Sequence, residues 1–206
     1  MVQLLRMYRT KEFVILAVAT LVLILECYFV LLPQPLLFFV SAWFYLLLIP
    51  VVTLLLLGES IRHYGFSWNT WPFRTSHTVL IALGILLLVI GSSALPQVQE
   101  HHASKTPALP SVGKMVMIFG CLYFAEEFFF RGFLLFGLRK QFGEFSIVLQ
   151  AVPFALFHIG GPPIEVISSF FVGLLLGHIA YRTNSFLPCF LIHWAMGSLL
   201  FALIFL

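Results

Sequence analysis

The chain has 206 residues, 61% of them hydrophobic and only 9% charged, with a mean hydropathy of +1.06 and a net charge of +3. A water-soluble domain carries about 25% charged residues, so this composition excludes one and describes a multi-pass integral membrane protein whose first partner is the lipid bilayer. The basic residues are scattered among loops with no Lys/Arg run, which excludes a nucleic-acid binder.

Seven apolar runs follow in chain order, at about 13–32, 36–57, 78–95, 114–138, 145–159, 164–181 and 185–206. They predict an all-α fold, a polytopic transmembrane helical bundle of about seven spans, with the chain 1–206 forming a single membrane domain. The first run is too long for a signal-peptide core and is followed by no clear cleavage site, so it reads as a retained signal anchor. A Pro33-Gln34-Pro35 turn joins it to the second. The loop 58–77 is polar and aromatic, with Tyr64, Phe66, Trp68, Trp71 and Phe73, and is expected in the membrane interface. The segment 96–113 contains Pro and Ser without a hydrophobic period and is expected to be irregular. The fifth run is short, contains Gln150 and Pro153, and ends in Gly160-Gly161-Pro162-Pro163. It is expected to be broken or to cross incompletely, which is tolerated only where the backbone faces protein or a wet cavity. Cys27, Cys121 and Cys189 lie far apart in apolar segments and read as small hydrophobes.

The basic residues set the topology. With the N-terminus cytoplasmic, Arg6, Arg9, Lys11, Arg62, Arg74, Arg139, Lys140 and Arg182 lie inside, and only Lys105 and Lys114 lie outside. The C-terminus is then outside.

The fourth run carries Glu126-Glu127-x-x-x-Arg131 near its middle. A charge at the bilayer centre costs about 2.5–3.5 kcal/mol on insertion scales and marks a functional site by default. Glu127 and Arg131 are four apart on a helix and can pair, while Glu126 is turned by about 100°. Two acids against one base leave one carboxyl uncompensated, and such a group suits general base and then general acid work. In the fifth run, Phe154-x-x-x-His158 puts an aromatic ring on the face of an imidazole. The last run holds His193-Trp194-x-x-Gly197-Ser198, with His193 at a depth close to that of Glu126. One carboxylate and two imidazoles on three helices thus converge on one buried pocket. His178 follows Gly173-x-x-x-Gly177, a close-packing spacing, and reads as structural. Glu26 either snorkels outward or pairs with another helix. His63, His77, His101 and His102 read as solvated loop residues.

A Glu and a His can activate a water against a carbonyl while a second His donates to the developing oxyanion. The same Glu126, His158 and His193 could instead hold zinc with water in the fourth place. Other intramembrane hydrolase designs are excluded by text. There is no H-E-x-x-H, no Asp for an aspartyl dyad, and no G-x-S-x-G or G-x-S-G; the nearest string is Gly91-Ser92-Ser93-Ala94.

Glu126-Glu127-x-x-x-Arg131, then Phe154-x-x-x-His158, then His193, resembles the signature of the CPBP family, the CAAX prenyl endopeptidases and bacteriocin-processing enzymes also called the Abi family. Gly173-x-x-x-Gly177 and Tyr181-Arg182-Thr183-Asn184-Ser185 resemble the region before that family's last histidine. The likeness covers about 112–200. It implies a catalytic core in the last four spans, 112–206, preceded by N-terminal spans and loops to 111. It implies an intramembrane endopeptidase of the glutamic type without a cofactor, in which Glu126 and His158 activate the water and His193 helps hold the oxyanion. Glu127 and Arg131 would support the site. The family usually has Asn, or another polar residue, four after its last His, where this chain has Gly197 followed by Ser198; Ser198 or a backbone N–H would then supply the donor. The implied substrate is a membrane-anchored peptide or protein terminus in a prokaryotic cell membrane. The alternatives are a non-catalytic scaffold or immunity-type protein of the same fold, a zinc-dependent protease, and a metal or proton transporter using the Glu/His relay.

Overall fold

The computed structural model describes residues 11–29, 31, 38–67, 76–105 and 111–206. The Pro33-Gln34-Pro35 turn, Arg6, Arg9, Arg74, Trp68, Trp71 and Phe73 lie outside them. Among the described residues the regular elements are all helices. They are α1 (Lys11–Tyr28), α2 (Phe38–Ala42), α3 (Ile49–Leu56), α4 (Ser76–Ser93), α5 (Pro96–Lys105), α6 (Val112–Glu127), α7 (Gly137–Phe142), α8 (Phe145–Phe157), α9 (Pro163–Thr183) and α10 (Leu187–Phe205). Two wider π-helical stretches, Trp43–Leu48 and Phe128–Phe136, make α2–α3 and α6–α7 continuous rods. The first π stretch has a local cause. Pro50 stands just after it, donates no N–H, and pushes its ring at the carbonyl four residues back.

The protein is a membrane protein. Phe39–Leu56, Pro163–Thr183 and Leu187–Phe205 are long and apolar enough to cross a bilayer, and the pair α4–α5, bent by 84° at its junction, makes a fourth if it is one span. The other predicted spans are helical but do not qualify on apolarity and length alone. Lys11, Glu12 and Glu26 interrupt α1, Lys114 and two terminal acids interrupt α6, and α8 has only 13 residues. At helical rise α8 is about 20 Å long, short of a hydrocarbon core of about 30 Å, so the fifth run is truncated as its sequence suggests.

One expectation is corrected. The segment 96–113 is not irregular throughout, because Pro96–Lys105 forms α5. Proline is suited to a first helical position, where its missing N–H is no loss, and Gln99 Nε2 donates to the carbonyl of Ser93 (2.9 Å) across the bend. The first aromatics of loop 58–77 pack on the bundle. Tyr64 is buried, and Phe66 packs on Phe128 and Phe186 at centroid distances of 5.4 and 5.0 Å.

The basic loops meet at one end of the bundle. Ser185 Oγ donates to the carbonyl of Gly65 (3.0 Å), and Arg139 donates to Asn184 Oδ1 (2.5 Å). Asn184 takes the left-handed conformation (φ 53°) that stops α9, a role that Asn tolerates better than most residues. Residue 165, at the start of α9, lies at the opposite end.

α8 and α9 pack closely because α9 offers glycines to α8. A Cβ on Gly173 would lie 3.2 Å from that of Ala151, and one on Gly177 only 2.4 Å from Gln150 Nε2. Gln150 is buried and donates to the carbonyls of Gly173 (2.8 Å) and Ile147 (2.9 Å), a polar link of the kind that joins membrane helices. His178, in contrast, is exposed on α9 and takes no part in this packing. Gly177→Ala is expected to displace the Gln150 amide and lower stability by about 1–2 kcal/mol. Gly91→Ala, inside α4 and where an added Cβ meets nothing within 4 Å, is expected to hold stability or raise it by up to about 1 kcal/mol; thermal unfolding in detergent compares the two.

Candidate active site

α6 ends on Glu126 and Glu127, and the helical turn sends them to different surroundings. Glu127 and Arg131 are fully buried (0%), whereas Glu126 keeps 6% exposure and lines a cavity. Glu127 Oε1 accepts from Arg131 Nη1 (2.8 Å) and from His193 Nδ1 (2.7 Å). The guanidinium lies over the Phe154 ring, 4.1 Å from its centroid, so a cation–π contact adds to the ion pair. Arg131 thereby ties the rod of α6–α7 to α8 through Phe154, and Glu127 ties it to α10 through His193.

The two imidazoles are held in matching ways. His158 caps the end of α8, where its Nδ1–H donates to the carbonyl of Phe154 (2.8 Å). A last-turn carbonyl would otherwise lack a partner. Phe154 also meets the ring edge-on, with centroids 4.8 Å apart. His193, on α10, gives its Nδ1 hydrogen to Glu127 and stacks on Tyr123 at 4.1 Å. In each ring the hydrogen bond at Nδ1 leaves Nε2 as the remaining nitrogen, which fixes tautomer and orientation. Glu126 Oε2 lies 3.9 Å from His193 Nδ1.

Glu126, His158 and His193, separated by up to 67 positions in the chain, line a single cavity of about 280 Å³ with Phe154 and Gly197. The fold thus brings these three side chains to one cavity. One expectation does not hold. Ser198 is not among the lining residues, and its hydroxyl is buried without a hydrogen-bond partner, because one residue along α10 turns it away from Gly197. Among the described residues no three His, Cys or Glu side chains stand close enough to share a metal ion.

Three lining residues went unread as site residues. Tyr123 stands three before Glu126, a spacing that shares a helix face and was the available signal. His102 and Glu165 form a pair (Nε2 to Oε1, 2.8 Å) at the cavity edge. They are 63 residues apart on α5 and α9, and no local pattern links them. Glu26 stays half-buried with Oε2 unpartnered, outside the cavity.

Residues 107–199 match the family described as type II CAAX prenyl endopeptidase Rce1-like. The match spans the fourth to the last predicted run and agrees with the resemblance carried by the three motifs. It is a peptidase family. No curated protein and no solved structure matches the chain significantly.

Proposed function

We propose that the protein is an intramembrane endopeptidase that hydrolyses a peptide bond near the terminus of a membrane-anchored peptide or protein. The observation that carries this reading is the meeting of Glu126, His158 and His193 around one cavity of the helix bundle, inside the segment that matches a CAAX endopeptidase family. Glu126 takes a proton from water, with His158 Nε2 orienting it, and the water oxygen attacks the carbonyl carbon. Glu126 then returns the proton to the leaving amine. His193, held by Glu127, contributes to the oxyanion environment when its ring is doubly protonated, since its Nδ1 hydrogen is already committed. Glu127, Arg131 and Phe154 keep both imidazoles in place. The termini follow the basic loops, N-terminus cytoplasmic and C-terminus outside, in a prokaryotic cell membrane.

The reading needs no metal. Purified protein reconstituted in lipid vesicles is expected to cleave lipid-anchored peptides, scored by mass spectrometry of the fragments, at the same rate with and without a strong chelator. Activity that vanishes with the chelator and returns with zinc would replace the water-activating pair by a zinc centre on the same residues. No cleavage of any peptide in such a panel would favour the non-catalytic scaffold.

A further inference from the structure

We propose that Tyr123 is a catalytic residue whose phenol donates a hydrogen bond to the oxyanion formed when water attacks the peptide carbonyl. This assignment rests on the protease reading above and adds to it the donor that Ser198 does not supply.

Tyr123 is three residues before Glu126 on α6, so its side chain leaves the same helix face, and it lines the same cavity as Glu126, His158 and His193. Its ring stacks on His193 at 4.1 Å, and His193 is in turn fixed by the buried Glu127–Arg131 pair. The phenol is thus held by a rigid network, as a preorganised donor must be.

Gly197 provides the space. A Cβ at that position would fall 2.3 Å from both Oη and Cε2 of Tyr123. No side chain could stand at 197 with the phenol where it is. Gly197 is inside α10, where its backbone freedom is a liability rather than a need, so room for Tyr123 is the physical reason for the glycine. The residue that looked like a missing donor marks the place where a donor from another helix enters.

The other cavity hydroxyls are committed. Ser92 donates to the carbonyl of Val89 (3.1 Å), Ser168 to that of Glu165 (3.2 Å) and Ser169 to that of Val166 (2.7 Å). Among the described residues the Tyr123 hydroxyl makes no hydrogen bond, so its hydrogen is available. In the reaction the water oxygen bonds to the carbonyl carbon, the π pair moves to the carbonyl oxygen, and the water proton goes to Glu126. Tyr123 keeps its proton and only donates to the charged oxygen. When the pair returns, the C–N bond breaks and Glu126 protonates the amine.

Tyr123→Phe keeps the ring that stacks on His193 and removes only the O–H. In the vesicle cleavage assay it is expected to lower kcat by about 100- to 1,000-fold, with KM within about twofold of the unaltered protein and an unchanged melting temperature in detergent. Loss of a donor acting only on the transition state gives that split. If the unaltered protein cleaves and Tyr123→Phe retains kcat within about twofold, the assignment of Tyr123 is overturned while the protease reading stands. If KM or melting temperature carries the change instead, Tyr123 packs the site rather than acting in it, and the assignment is again overturned. If the unaltered protein cleaves nothing, the protease reading itself falls and takes this assignment with it.

Discussion

Glu126→Gln is expected to give a folded protein with almost no peptidase activity. A positioned general base contributes about 10²–10⁴-fold, and the amide cannot take up the water proton at all, so kcat should drop by at least the upper part of that range. Stability should hold or rise slightly. Glu126 is the one acid of its pair that accepts no hydrogen bond from a neighbouring side chain within 3.5 Å, and removing its charge relieves a desolvated group beside Glu127. Circular dichroism and thermal unfolding in detergent check the fold, and product analysis checks the chemistry. A variant that is inactive because it no longer folds would not fit this account, nor would one that retains a tenth of the rate.

Arg131→Met is expected to do the opposite, damaging the fold first. The guanidinium is fully buried, pairs with Glu127 at 2.8 Å and covers Phe154. Methionine fills much of the volume but leaves the Glu127 carboxylate with only His193 as partner. Breaking one side of a buried pair costs about 3–5 kcal/mol, whereas replacing both sides by well-packed neutral groups can be close to neutral. The double variant Glu127→Gln/Arg131→Met should therefore recover much of the lost stability but not the activity, since His193 loses its charged anchor. Unfolding free energies for the single and double variants test this; a single variant within about 1 kcal/mol of the unaltered protein would mean that the pair is not the tie described here.

Hydropathy made the helices legible because burial in lipid requires long apolar runs whatever the tertiary contacts. The same logic made Glu126, Glu127 and Arg131 conspicuous, since a charge inside such a run has no bland explanation. Gly173 and Gly177 were readable as a packing stripe from spacing alone. What could not be read depended on contacts between distant residues. The π stretch at Phe128–Phe136 has no proline beside it, and Gly132 within it does not by itself specify a wider turn. Pro96–Lys105 is a helix with little apolar period, turned by 84°, and its partner Glu165 lies on the far side of the sequence. Gly197 was legible as a departure from a family pattern, but its meaning lay in the Tyr123 ring that fills the gap. Ser198 seemed the natural substitute one residue on, and a turn of about 100° along the helix is enough to remove it.

The central claim is that Glu126 and His158 hold a water between them inside the bundle. A cryo-electron microscopy map of the protein in lipid nanodiscs, at a resolution that shows ordered waters, tests it most directly. The account predicts one water within about 2.6–3.2 Å of a Glu126 carboxylate oxygen and of His158 Nε2, beside the Tyr123 hydroxyl. Density for a metal ion bound by these side chains, or Glu126 and His158 turned towards lipid on separate faces, would contradict it.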